Sequence, residues 1–325
     1  MTDFSLKRSY RGGVWVMPPD APPMTGEWVT SRDREKTRYF RPSEESKKLG
    51  CVEYGRMSKA GDHLKGDSSK LIEFYIAHVA LGVAKSKTLQ MELSTLLNEH
   101  VNPYYADDEN STHSGKSQTV DAAFRAHDFA GGNRASAQGT AMHKLVELRA
   151  QGREPESIPE DLEAALETFV HRSRKIKPIR QEMFVINDVI QRAGSMDSLM
   201  RLPAGLKTPD KVVHETPLVV GGDNKFGKWD VKFPAGMSAQ LAGYGTGCGY
   251  NQETNERFPI HPEMNTDWGV LLHYPLDVPG STLNFYWISL KHGLEAAKLN
   301  NRIDALEKFY KNKAGAPVPF TLEAL

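Results

Sequence analysis

The chain has 325 residues, enough for one large domain or two modest ones around a buried core. Its 41 Lys+Arg balance 41 Asp+Glu, so a polyanion partner must meet a local basic patch rather than a globally basic protein. Cysteine occurs only at Cys51 and Cys248, which excludes a disulfide scaffold, a zinc ribbon and a four-cysteine iron–sulfur cluster; no apolar run is long enough for a bilayer and MTDFSLKRSYRGG has no apolar signal core, so no membrane partner and a cytoplasmic setting are expected.

Residues 1–50 carry Pro18, Pro19, Pro22 and Pro23 and the charged stretch SRDREKTRYFRPSEESKK, and read as an irregular, solvated extension. Residues 51–117 read as a helical cap. Within it Leu71, Phe74, Tyr75, His78, Val79 and Leu81, then Leu89 to Leu97, recur at helical spacing, and a polar loop closes the region over 102–117. Tyr104, Tyr105 and Phe124 read as core, with base stacking as the alternative. Residues 118–325 form the expected main domain. A helical segment over 118–150 is interrupted at Gly131 and Gly132, and an acidic helix follows Pro159. Strands are expected over 182–190, 195–201, 213–220 and 227–233, then a helix over 236–247. Val270, Leu272 and Tyr274 alternate in one further strand, and Leu283, Phe285 and Trp287 in another, as half-buried strands should. A last helix over 291–312 carries Leu299, Ile303, Leu306 and Tyr310 on one face. Helices followed by strands with flanking helices indicate an α/β or α+β core with a helical N-terminal region.

The chemistry-bearing residues lie in that second part. In GKWDVKF, Asp230 and Lys232 are two apart on an expected strand and share a face. The carboxylate suits a hard divalent cation and the lysine can orient a water, although an exposed surface ion pair has the same spacing. Asp197 sits among Met196, Leu199, Met200 and Leu202, where a carboxylate is costly unless paired or cation-bound; a turn aspartate at a strand start is the alternative. Gln240 and Tyr244 are four apart on the following helix, either supporting the site or simply making an amphipathic face. His143, one turn before Glu147, is a candidate ligand or a packed structural histidine. Arg172, Arg174, Lys175, Lys177 and Arg180 in HRSRKIKPIR form a basic patch, for a phosphate backbone or as a solvated linker.

The order GTAMH, then an acid and GSMD, then D-V-K, then Q-x-x-x-Y resembles the RecB-type nucleases of the PD-(D/E)XK superfamily, in particular the lambda-type exonucleases encoded by actinobacterial phages. The resemblance covers about residues 54–310 and lies in order and spacing rather than in any single motif. It implies an α/β fold: a restriction-endonuclease-like core with a central mixed sheet flanked by helices. It implies a DNA exonuclease using Mg²⁺ or Mn²⁺, with no iron–sulfur cluster. Asp197 and Asp230 would be the principal ligands, joined by the Val231 carbonyl and His143. Lys232 would position the attacking water, Glu182 would be the acid upstream of the GSMD turn, and Gln240 and Tyr244 would support the site or the strand. Expected partners are DNA and a single-strand annealing or recombination protein, in the cytoplasm of a bacterium or phage-infected host. The rival reading is an inactive DNA-binding accessory protein that keeps the fold.

Overall fold

The computed structural model describes residues 6–31, 38–64, 68–100, 102–105, 115–227, 234–276, 278 and 280–311. The N-terminal stretch is not irregular. It forms β1 (Val14–Val16), β2 (Gly26–Thr30), β3 (Arg38–Pro42) and a short helix α1 (Glu44–Lys48), with Ser43 capping α1 by accepting from the Ser46 amide. Trp15, Met17, Met24, Trp28, Phe40 and Cys51 pack into a small core of their own. Pro18, Pro19, Pro22 and Pro23 lie between β1 and β2, and Arg38, Arg41 and the charges of Glu44–Lys48 lie within β3 and α1, among the apolar minority that folds the stretch.

Next come β4 (Val52–Arg56), α2 (Ser69–Lys85), α3 (Lys87–Glu99), α4 (Gly115–Phe129), α5 (Arg134–Ala150) and α6 (Glu160–Ser173). The region expected to be a purely helical cap thus begins with a strand. Helix α5 begins at Arg134, and the break before it falls at Gly131 and Gly132 as expected. Leu71, Phe74, Tyr75 and Leu81 on α2 are exposed, as are Tyr104 and Phe124, so none of these is core. The side chain of Tyr105 lies outside what is described.

The remaining elements are β5 (Lys177–Asn187), β6 (Arg192–Leu202), a small hairpin β7 (Leu206–Lys207) and β8 (Val213–His214), β9 (Leu218–Phe226), α7 (Pro234–Gly245), β10 (Cys248–Asn251), β11 (Glu256–Phe258), β12 (Trp268–Tyr274), β13 (Asn284–Ser289) and α8 (Leu290–Lys311). The fold is α/β, with a central mixed sheet of nine strands ordered β11-β10-β5-β6-β9-β12-β13; β4 pairs with β6, and β1 with β4. The β9–β12 and β4–β6 pairs are parallel and the others antiparallel. The strand expected over 213–220 is shifted: β9 covers 218–226, with a separate two-residue strand at 213–214, and the strand expected over 227–233 lies, but for Gly227, outside the described residues.

Helices cover both faces. Under α5 and α6, Met142, Leu145, Leu166 and Phe169 meet Met200, Val220, Phe226 and Leu272. On the other face, Ala239, Tyr244 and Ala297 of α7 and α8 meet Met183, Met196, Leu199 and Val219. Because β12 lies inside the sheet and is covered on both sides, Gly269 through Tyr274 are all buried rather than alternating. Each leucine there, such as Leu271, contributes roughly 1.5–3 kcal/mol by leaving water. Helix α8 does not bury the face with Leu299, Leu306 and Tyr310, which are exposed; it buries Leu290, Gly293, Ala297 and Asn300. Small residues let α8 lie close on α7, and Asn300 and Asn301 pin it to neighbouring backbone through the Lys59 and Ile190 carbonyls. Among the described residues no helix is long and apolar enough to cross a membrane.

A Cβ at Gly293 would collide with the Ser238 carbonyl of α7. Gly293→Ala is therefore expected to push α8 off α7 and to cost about 1–3 kcal/mol, despite the better helix propensity of alanine. Urea denaturation measures this; an unchanged or raised midpoint would contradict the close approach.

Candidate active site

The site is built where β6 and β9 part. Their antiparallel pairing runs from Leu202↔Leu218 to Ser198↔Gly222. One step further the strands present Asp197 and Asp223. Beyond that point the only bond across, among the described residues, is the Asn224 amide donating to Asp197 Oδ2 at 3.2 Å. Two residues after Asp223, alternation returns Lys225 to its side, and Lys225 Nζ lies 2.6 Å from Asp223 Oδ2. The contact sets a buried carboxylate against a partly exposed ammonium.

Three further elements close around the pair. From α5, His143 Nδ1 stands 3.6 Å from Asp197 Oδ2, its ring held edge-on by Phe226 at 4.9 Å between centroids. From α7, Gln240 Nε2 reaches Asp223 Oδ1 at 3.5 Å, and the same amide bonds the Tyr244 hydroxyl. Tyr244 is buried, and Gly194 makes room for it: a Cβ there would come within 3.0 Å of its hydroxyl oxygen. From β5, Glu182 lies opposite Asp197, in the register set by Gln181↔Ser198 and Met183↔Met196. Glu182 has φ +51, a left-handed conformation unusual for a non-glycine residue inside a strand and costing on the order of 1–3 kcal/mol. Such strain within a strand, beside a buried carboxylate, marks a place where side-chain position outweighs backbone comfort.

The electrostatics follow from burial. Desolvation raises the pKa of Asp223, and the Asp197 charge adds to it, while Lys225 pulls the other way. Asp197 is raised mainly by burial too, against Lys225 and the Asn224 amide. Glu182 keeps an exposed outer side, yet partial burial, then the Asp197 and Glu147 carboxylates, push it up to about 7. Burial and Lys225 lower His143, which leaves a neutral imidazole with a lone pair at neutral pH. Burial and the nearby carboxylates raise Tyr244, which stays protonated. Glu147, Glu182, Asp197 and Asp223 thus face Lys225 and Lys144, and Lys144 is already paired with Glu147 at 2.8 Å. The excess of negative charge around a buried carboxylate is chemistry that a divalent cation would complete. Among the described residues no three His, Cys, Asp or Glu side chains stand together at metal-ligand spacing, so any such ion would draw on Asp197 and Asp223 with other donors.

Of the residues expected from sequence, the fold brings together His143, Glu182, Asp197, Gln240 and Tyr244. Asp230, Val231 and Lys232 lie outside the described residues. Sequence reading missed Asp223 and Lys225. The signal was available, since GGDNKF has the same D-x-K spacing seven residues before Asp230; the strand expected over 213–220 stops short of it, whereas β9 runs to Phe226. The basic patch does not form one surface. Arg180 lines a cleft beside Glu182, whereas Arg172 and Lys175 line a separate apolar recess with Leu202 and Trp287. Arg174 bonds the His171 carbonyl at the end of α6, and Lys177 pairs through its backbone with Arg201. No family model matches the chain, and no curated protein matches it.

Raised carboxylate pKa values mean that the folded protein holds protons which the unfolded chain releases. Metal-free stability from these groups is therefore present at low pH and lost as pH rises from the ordinary carboxylate range through the raised one. Asp223→Asn removes the contribution of Asp223 to this effect. In EDTA the variant should gain stability over the wild type as pH rises from about 4 to about 7. Urea unfolding of both proteins across that range measures it; a difference that does not change with pH would contradict the assignment.

Proposed function

We propose that this chain is a divalent-metal-dependent DNA nuclease with a restriction-endonuclease-like core, acting as an exonuclease in phage or bacterial DNA processing. The observation that carries the reading is the convergence of Asp197 on β6 with Asp223 and Lys225 on β9, at the point where the two strands part. This replaces Asp230 and Lys232 as the favoured centre; the spacing is the same, but here the partners and burial can be named. Mg²⁺ or Mn²⁺, held by Asp197 and Asp223, would supply the positive charge that phosphodiester hydrolysis requires.

The chain's own groups then have distinct roles. Lys225 Nζ can donate a hydrogen bond to an attacking water or to a phosphate oxygen that accumulates charge. His143, neutral and braced by Phe226, offers a second nitrogen donor on the α5 side. Gln240 fixes the Asp223 carboxylate and, through Tyr244, ties it to the buried face of α7. Glu182, poised near neutrality, can accept or release a proton at its carboxyl on the open side of the site.

End-labelled linear DNA and circular DNA, incubated with Mg²⁺, Mn²⁺ or EDTA, test the reading. Asp223→Asn and Lys225→Ala are each expected to lower cleavage by about 10²–10³-fold or more, while Asp230→Asn and Lys232→Ala leave it within about tenfold of wild type. The reverse pattern would move the centre to Asp230 and Lys232. Cleavage that survives EDTA, or no cleavage by the wild type with either metal, would overturn the nuclease assignment; the second outcome favours an inactive DNA-binding protein.

A further inference from the structure

The face of the sheet that carries Asp197 and Glu182 is covered at both ends but not between them. At one end α5 and α6 pack over Met200 and Phe226. At the other, β1 and Tyr54 of β4 pack over Ile186, Ala193 and Tyr250. Between the two lies a cleft of about 550 Å³ lined by Arg8, Arg180, Glu182, Phe184, Ser195 and Phe258, among others. Phe184 pairs with Ser195 across β5 and β6, and Glu182, which lines the cleft, also belongs to the candidate active site, so the two meet at that residue.

Two arginines stand in this cleft, whose acids are Glu182 and Glu253. Neither the Arg8 nor the Arg180 side chain has an ion pair or hydrogen bond among the described residues. The acid that shares the cleft wall with Arg8, Glu253, is engaged by Lys7 at 3.2 Å. Arg8 is also set close to Arg56, and burial and that like charge lower its pKa. A protein gains nothing in stability from pressing two cations together without an acid. Yet the backbone holds Arg8 firmly in place. The Lys7 amide donates to buried Gln252 Oε1 at 2.9 Å, and the Phe40 amide donates to the Arg8 carbonyl at 2.7 Å. Guanidinium groups kept unpaired on a fixed backbone, over a floor with the aromatic rings of Phe184 and Phe258, match the phosphates and bases of a nucleic-acid strand.

We propose that this cleft is the path of a single nucleic-acid strand next to the scissile bond, with Arg8 from the N-terminal module and Arg180 from β5 clamping its phosphates. The assignment rests on the nuclease reading for its direction, and it makes the N-terminal module one wall of the substrate channel. Binding is measured apart from chemistry, by fluorescence anisotropy of a labelled single-stranded oligodeoxynucleotide in EDTA. Arg8→Gln and Arg180→Gln are each expected to weaken binding by about tenfold and to lower the dependence on salt by about one released counterion, with Arg8→Lys recovering part of the loss. Wild-type affinity in both arginine variants, or no binding by the wild type, would overturn the clamp. Displacement of the strand by inorganic phosphate, beyond a chloride control of equal ionic strength, would also overturn it in favour of a free-phosphate site. If the arginine effects appear but no metal supports cleavage, the clamp stands and the nuclease reading fails.

Discussion

Asp197 and Asp223 are kept largely out of water within each other's field, with Lys225 as the one cation, among the described residues, in contact with the pair. Much of the surrounding architecture follows from holding that arrangement. Bringing the carboxylates together requires two strands that pair tightly up to Ser198↔Gly222 and then diverge, so that side chains and not ladder bonds fill the gap. It requires an amide at Gln240 to hold one acid and a backbone amide at Asn224 to hold the other. Buried polar groups satisfied in this way specify a geometry; left without partners they would expel it.

The scaffold behind the pair is correspondingly tight. Helix α7 delivers Gln240 and Tyr244, and it is wedged between the sheet and α8 by glycines and alanines rather than by large side chains. Helix α8 is fixed in turn by buried Asn300, and by Asn301 together with the Arg192–Asp304 pair. The α5 side is looser: His143 is partly exposed and leans on a single aromatic ring. The rigid side thus holds the acid that is most deeply buried, and the open side carries the groups that would meet a substrate.

What the sequence made legible follows the same division. Long periodic segments, such as α5 and the strands bearing Met196 to Leu202 and Val270 to Tyr274, announce themselves because apolar spacing alone places them. Asp197 was visible as a carboxylate in apolar company. The N-terminal strands were not, because the few apolar residues of their small core are diluted in sequence by prolines and charges. Asp223 was hidden by β9 itself. Its glycines, Gly221 and Gly222, lower apparent strand character, so the eye moves on to the better-formed GKWDVKF stretch. The exposed leucines and aromatics of α2, α4 and α8 misled in the opposite sense, since helical periodicity says that a face is apolar, not that anything covers it.

The topology also bears on how the molecule assembles. Strands β5 and β6 form a hairpin with little chain between them, and this local pairing closes with a small loss of chain entropy. Its two outer edges are then capped from opposite directions: β4 arrives on β6 from well over a hundred residues upstream, and β10 on β5 from about sixty downstream. Such distant pairings form late. The carboxylate centre, made largely from the hairpin, β9 and α7, can therefore take shape before the N-terminal strands dock against Ile186 and Ala193. During that interval a nascent chain would hold its reactive acids without the wall that carries Arg8, and the last step of folding would be the one that gives the cleft its second side.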